Sequence, residues 1–341
     1  SLIIIGRNEE QAIGKCIEAA LESCIHLPDA EVLFVDSMST DRTVEIASKY
    51  PIDILQLHHG QKRSPAAGRY LGYKHARGKY LFFVDGDSTV DPQWTSEGIA
   101  FLDDHPEYAG VAGRLDVCYV NSEGVAIGGV DNFYDQDLNQ EIQDFPVLCG
   151  LSMYRKSAMD LLGSFNPYLP TGEEGEVGLR LRRAGWKLAR LSIPMATENT
   201  DDRNTFYEVF RRLRTSFYDY GIVMRYAATY GGGLQYAWEQ TRFVVTTFLG
   251  LILFALFSIC AIYFNSMYWI PLLFVFTLMA TIIRKGGFKE AMLSNTIRFV
   301  SLYCTLRSAI FTPLLPVSQY PTDAIRIKDA SDSSSLNCNQ Q

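Results

Sequence analysis

Over the first 85 residues, short apolar runs alternate with stretches of helical periodicity. The runs cover residues 2–5, 32–36, 52–57 and 80–85; between them one helix opens near Asn8, with Glu9 and Glu10 in its first turn, and others span about 40–49 and 65–76. Strands alternating with helices predict an α/β fold around a mostly parallel, doubly wound sheet. Asn8 and Ser39 suit N-caps, and acids in a first turn suit the positive end of the helix dipole. A further strand is expected near 148–154. It precedes a helix in which Val177 and Leu181 share one face and Gly185 marks the stop, with Arg180, Arg182 and Arg183 read as a solvated face in preference to a phosphate-binding one.

The run at 80–85 stops at two carboxylates flanking a glycine, Asp85-Gly86-Asp87. In an open α/β sheet, ligands collect outside the carboxyl ends of the strands, so these acids stand where chemistry is done. Oxygen pairs of this kind hold hard divalent cations, and Mg²⁺ is commonly bound by one or two carboxylates together with substrate phosphates. The second run also ends in an acid, Asp36, followed by hydroxyls and Asp41.

Ordered blocks through the first 200 residues carry a resemblance. Ile5-Gly6-Arg7-Asn8-Glu9-Glu10, Val35-Asp36-Ser37-Met38-Ser39-Thr40-Asp41, Ala67-Gly68-Arg69-Tyr70-Leu71-Gly72, Asp85-Gly86-Asp87 and Gly172-Glu173-Glu174-Gly175-Glu176 resemble the signature blocks of family 2 inverting glycosyltransferases with the GT-A fold. The resemblance implies a metal-dependent enzyme that uses Mg²⁺ or Mn²⁺ and a nucleotide-diphosphate sugar donor. It places Asn8, Glu9 and Asp36 around the nucleotide base, Arg69 against the nucleotide or its phosphates, Asp85 on the ribose side and Asp87 on the metal. Glu174 falls where the family carries the acid that deprotonates the acceptor, but Glu-Glu replaces the more usual Glu-Asp, so Glu173 stays open as the base. Glu198 falls where relatives often carry a metal-ligating His. Ser37 replaces a frequent second Asp, and the Gln-x-x-Arg-Trp block of processive synthases is not evident, which favours addition of a single sugar.

Remaining residues read more plainly. His58 and His59 are adjacent, a poor metal pair better read as loop residues near the nucleotide, and Lys62 and Arg63, just ahead of the helix carrying Arg69, either approach the diphosphate or form a solvated basic loop. The seven cysteines lack zinc-like spacing and fit reduced thiols. A net charge of −7 gives no support to nucleic-acid binding. Acids crowd into residues 119–146, including Asp131, Asp135, Asp137, Glu141 and Asp144, an expected surface insertion that either shapes an acceptor site or is a plain acidic loop.

From residue 203 the character changes. Apolar residues recur at helical spacing with Arg211, Arg212 and Arg214 between them, suited equally to an anionic membrane surface and to packing on the preceding domain. Residues 243–264 and 267–283 form uncharged apolar runs, the first long enough to span a bilayer core of about 20 residues. The stretch 296–316 contains Arg298 and Arg307 and reads as interfacial. The expected organisation is a catalytic domain over 1–202, linker helices over 203–240, a membrane region over 241–316 and a disordered tail over 317–341. The chain begins inside its first strand without an initiator Met, so natural N-terminal residues are expected to be missing. Basic residues Arg242, Arg284, Lys285 and Lys289 flank the spans, which places both flanks in the cytosol of a multi-pass inner-membrane protein. The expected activity is sugar transfer to a lipid-linked or polysaccharide acceptor at the cytosolic face. The alternatives are a catalytically silent GT-A nucleotide-binding membrane scaffold and, disfavoured by the largely soluble character of the chain, a transporter.

Overall fold

The computed structural model describes residues 1–120, 125–200 and 205–330. The chain divides into two compact units: Ser1–Asp202 with Leu315–Gln341, and Arg203–Leu314.

The first unit begins with β1 (Leu2–Gly6), α1 (Ile13–Ser23), β2 (Val32–Asp36), α2 (Thr43–Ala47), β3 (Asp53–Gln56), α3 (Pro65–His75) and β4 (Tyr80–Asp85). It continues through β5 (Ser88–Val90), α4 (Trp94–Asp104), β6 (Tyr108–Val120), β7 (Ala126–Val130), β8 (Ile142–Asp144), β9 (Ser152–Arg155), α5 (Lys156–Leu162), α6 (Glu173–Arg183) and β10 (Lys187–Thr200). A single mixed sheet runs in the order β11-β3-β2-β1-β4-β9-β6-β10-β5, its last-named edge formed by β5 and its first by β11 (Ile325–Lys328). Parallel pairing runs through β3-β2-β1-β4 and the β6–β10 pair, and the other pairs are antiparallel. The strand β9 lies antiparallel to both β4 and β6, so it joins these two sections. The central strands are buried along their lengths, with Ile3, Ile4, Phe34, Val35, Phe83 and Val84 wholly enclosed. Their near-continuous apolar sequences follow from that two-sided burial.

Two helix starts differ from the sequence reading. Asn8 adopts φ +60° and does not cap a helix; α1 begins five residues later, where Ile13 N–H donates to Glu9 O at 2.8 Å. Ser39 is not a cap either, since α2 starts at Thr43. Both side chains are engaged between loops instead, as described below. By contrast α3 is capped, with Ser64 Oγ accepting from Ala67 N–H and Pro65 at the first helical position.

The acidic stretch also contributes strands: β7 pairs with β6 and β8 with β10, while residues 121–124 lie outside the described residues. The tail expected to be disordered over 317–341 is ordered through residue 330. There β11 pairs antiparallel with β3, and Tyr320 is buried against Tyr70 and Tyr168 with ring centroids 5.6 and 5.4 Å away. Gln61 Nε2 donates to Pro321 O and Asp323 O at 2.9 and 3.2 Å, and Lys328 Nζ donates to Ser48 O and Tyr50 O. Composition marks 317–330 as polar, but an unpaired sheet edge and an aromatic pocket far back in sequence supply its partners. Residues 331–341 lie outside the described residues.

The second unit comprises α7 (Phe206–Arg214), α8 (Tyr220–Thr229), α9 (Gly233–Tyr263), α10 (Trp269–Lys285) and α11 (Phe288–Phe311). Among the described residues α9 is long and apolar enough to cross a bilayer, whereas α10 and α11 meet that condition only together, as a pair bent by 111°. The first helix starts before residue 243, with non-helical backbone at Thr241 dividing it. The stretch 296–316 begins inside α11. That helix runs from Phe288 to Phe311 and stops short of Pro313, and its two arginines bond within the unit: Arg307 makes a two-pronged bond to Asp219 at 2.8 and 3.0 Å, and Arg298 reaches Phe243 O at 3.4 Å.

Candidate active site

Register gathers the candidate acids. Gly6 stands opposite Asp36 and Ile5 opposite Asp85, so β1, β2 and β4 all deliver their carboxyl ends to one edge of the sheet. Gly86 must be small because its backbone bonds to Ile5 O at 2.8 Å and a Cβ there would crowd that oxygen and the Glu9 side chain.

Two loops at this edge are laced together. Asn8 N–H donates to Ser39 Oγ at 2.8 Å, Thr40 N–H to Asn8 Oδ1 at 2.8 Å, and Glu9 N–H to Thr43 Oγ1 at 2.7 Å. The left-handed backbone of Asn8 is what turns its amide toward the second loop, a conformation that Asn tolerates better than most residues. Asp36 is fully buried and accepts from Ser39 N–H, Ser39 Oγ and Gln56 Nε2, the last at 2.7 Å. It therefore braces this wall from within; Gln56, its partner from β3, was not marked by any sequence pattern.

Arg69, expected against the nucleotide or its phosphates, is committed to protein partners. It is 2% exposed and lies inside an ionic cluster, with Nη2 2.8 Å from Asp85 Oδ1, Nη1 2.8 Å from Glu173 Oε1 and Nη1 3.6 Å from Glu174 Oε1. One guanidinium thus ties the end of β4 to the start of α6. A Cβ at Gly150 would collide with Arg69 and Asp85, so the cluster also requires a glycine there. The two glutamates differ in access. The Glu173 side chain is 4% exposed and that of Glu174 25%. Burial and the negative charge of Glu174 push the Glu173 carboxyl up, against the opposing pull of Arg69. A single cation shared by three carboxylates cannot neutralise all of them, and the deepest acid holds its proton most tightly.

The start of α6 suits these acids. Gly172 takes φ +69°, and Glu173, Glu174 and Glu176 occupy the first turn near the positive end of the helix. The expected solvated face of arginines is different here: Arg180 pairs with Glu176 through two 2.7 Å bonds and donates to Leu162 O, Gly163 O and Ser164 O. It clamps α6 to the preceding segment.

Asp87 follows β4 and is half-buried. Burial, then the negative charges of Asp85, Glu198 and Glu9, push its carboxyl up to about 8. Glu198 lies in β10 and stands opposite Ser88, the residue after Asp87; Asn199 N–H donates to Asp87 O at 3.0 Å. Among the described residues no set of three or more acids, histidines or cysteines is drawn in closely enough to hold a metal. The chemistry of the donors nevertheless fits one: all are oxygen donors, and their mutual repulsion at Asp87 is the penalty that a divalent cation relieves.

The basic and histidine candidates serve other contacts. Lys62 Nζ donates to Tyr168 O at 2.6 Å, His58 lies 3.8 Å from Asp323, and Arg63 is exposed. The six described cysteines are unbridged.

Comparison with known proteins fits this arrangement. Residues 1–163 match the family described as Glycosyl transferase family 2. These residues form a family 2 glycosyltransferase domain. The match ends before Glu173, Glu174 and Glu198, so the placement of those acids rests on the fold alone. The family 2 domain is similar to Glycosyltransferase AglE of Haloferax volcanii, 28% identical over 55% of this chain and 62% of that protein. It is also similar to the poly(ribitol-phosphate) beta-N-acetylglucosaminyltransferase TarS of Staphylococcus aureus, 27% identical over 38% of this chain and 22% of that protein. The chain thus spans less than two thirds of the length of either relative. Among solved structures, the mannosyltransferase PcManGT from Pyrobaculum calidifontis, in complex with GDP-Man and Mn²⁺, aligns with a TM-score of 0.60 at 15% identity, covering 92% of this chain and 87% of that one. TarS 1–349 in complex with UDP-GlcNAc aligns with a TM-score of 0.50 at 17% identity, covering 71% and 73%. At these identities the likeness is one of fold.

Proposed function

We propose that the chain is a membrane-attached, metal-dependent, inverting glycosyltransferase that moves a sugar from a nucleotide-diphosphate donor to a lipid-linked or polysaccharide acceptor. The observation that carries this reading is the Arg69 cluster, which couples the acids at the end of β4 to those at the start of α6 through one buried cation. Such coupling fixes a donor-side and an acceptor-side group in one geometry, the condition for reaction between two bound substrates.

Glu174 is the base on this reading because, of the two glutamates, its carboxylate is the accessible one. As the acceptor oxygen bonds to the anomeric carbon, the bond from that carbon to the phosphate oxygen breaks; the hydroxyl proton passes to Glu174 and the electron pair leaves on the diphosphate. Single displacement inverts the anomeric centre. Asp87 and Glu198 would hold Mg²⁺ or Mn²⁺, which when bound supplies Lewis-acid stabilisation of the departing diphosphate. Asn8, Glu9 and Asp36 shape the wall for the nucleotide base, and Asp85 faces the ribose. The PcManGT complex, which holds a nucleotide sugar and Mn²⁺ in the same fold, supports the donor class and the cofactor. The apolar helix α9 supports attachment to a membrane, and the basic flanks of the apolar runs support a multi-pass arrangement with the catalytic domain in the cytosol.

The test is to incubate the full chain in detergent with a panel of UDP- and GDP-sugars and Mn²⁺ or Mg²⁺, measuring nucleotide release and nucleotide binding. Release that falls by about 10² to 10⁴ in Glu174→Gln, with binding retained, is the expected result. Binding without release by the wild type would identify a silent scaffold. Neither binding nor release would overturn both.

A further inference from the structure

One buried cation stands apart from the Arg69 cluster. Arg190, in β10, is 1% exposed; its Nη2 reaches Val147 O at 3.4 Å, while Nε and Nη1 have no hydrogen-bond partner. A buried charge normally demands a carboxylate. Here two aromatic faces take that place: the Arg190 guanidinium lies 3.6 Å from the centroid of the Tyr134 ring and 4.7 Å from that of Phe145.

Both rings come from the acidic insertion, and the turn bearing Tyr134 is braced. Asn132 N–H donates to Asp116 Oδ1 and Phe133 N–H to Leu115 O, both at 2.8 Å, which fixes the turn to β6. Asn132 Nδ2 donates to Gln136 O and Gln136 N–H returns to Asn132 Oδ1, while Gln136 Nε2 donates to Leu191 O at 2.7 Å. Asn132 and Asp135 hold φ of +50° and +49°. A plain acidic loop needs none of this. Tyr134 itself stays half-buried, and the β6 residues that hold its turn, Leu115 and Asp116, stand opposite Ala196 and Thr197 of β10, immediately before Glu198, so strand register sets the turn beside the acids of the site.

We propose that the turn over residues 131–136 is the acceptor-side wall of the site, with Tyr134 touching the acceptor and Arg190 acting as its positioning residue. The inference rests on Glu174 being the base. The chemical class that fits is a sugar ring, whose apolar C–H face packs on the exposed part of the tyrosine while a hydroxyl turns toward the carboxylate. A flat ring held by a planar guanidinium is pre-organised for that contact.

The full chain and its Tyr134→Ala, Tyr134→Phe and Arg190→Lys variants can be compared using the donor selected above and octyl glycosides of glucose, galactose, mannose and N-acetylglucosamine as acceptors. Nucleotide affinity should stay within about twofold in all of them, while the ratio of transfer to donor hydrolysis falls at least about tenfold in Tyr134→Ala and Arg190→Lys and is largely kept in Tyr134→Phe. An unchanged ratio in Tyr134→Ala overturns the inference. So does a wild type that hydrolyses its donor yet accepts none of these glycosides, or a loss of nucleotide affinity that parallels the loss of transfer. A wild type that turns over no donor overturns the transferase reading, and this wall with it.

Discussion

Arg69 is the residue on which the site depends most directly, and its burial makes the consequence of removing it calculable. Arg69→Ala leaves Asp85 and Glu173 without their cation, and breaking a buried pair in this way costs about 3–5 kcal/mol. Chemical denaturation should show a loss of that order, and Gly150→Ala should reproduce part of it by displacing the same guanidinium. The glutamates should separate kinetically: Glu174→Gln loses most of kcat with nucleotide affinity kept, and Glu173→Gln is milder. The opposite ranking would move the base to Glu173. Asp87→Ala should abolish transfer without unfolding the chain, and chelation of the wild type should do so reversibly; full activity after exhaustive chelation would remove the metal from the mechanism. A pH dependence follows from Glu173. Its carboxyl is pushed up by burial and by Glu174, so between the unfolded value of about 4.5 and the raised folded value the native state binds the extra proton, and stability falls as pH rises through that window. Thermal melts of the metal-free chain should slope downward there, and Glu173→Gln should flatten part of the slope.

Among the elements, β11 is the one that composition conceals. Its apolar side chains Ile325 and Ile327 remain exposed, so it is held by the ladder to β3 and by Tyr320 in its aromatic pocket rather than by a hydrophobic face of its own. Tyr320 Oη also donates to Lys62 O at 3.0 Å, which links this strap to the segment leading into α3. Tyr320→Ala should therefore cost about 3 kcal/mol, in the range of large-to-small changes at buried aromatics, and should speed amide exchange over residues 57–64. Unchanged exchange there would show that the strap lies on the domain without holding it.

Across the whole molecule, the same strap alters what a truncated chain should do. The polar composition of 1–235 points to a soluble, nucleotide-binding fragment, but cutting at 235 removes both β11 and Tyr320. The fragment should melt lower than the catalytic unit of the full chain and bind nucleotide more weakly, as measured by differential scanning of both in the same detergent. Topology is tested separately. With a cysteine-free background, a thiol introduced at position 265 should label from outside and one at 287 should not; external labelling at 287 would overturn the cytosolic placement.

The sequence alone determined the strands of the parallel section, the acids at their ends and the order of the family blocks, because a buried strand must be written as an unbroken apolar run and a ligand edge as polar residues immediately after it. It also marked the change of character after residue 203, since a helix long enough to cross a bilayer shows in composition. Which acid pairs with which base was not legible. Arg69 meets Glu173 across 104 residues, Gln56 reaches Asp36 from the neighbouring strand, and Tyr134 meets Arg190 through a turn whose own sequence reads as solvent-facing. Side-chain partners so distant along the chain carry no periodicity. Only the packed sheet, by setting strand register and burying one guanidinium among three carboxylates, decided which glutamate stays accessible.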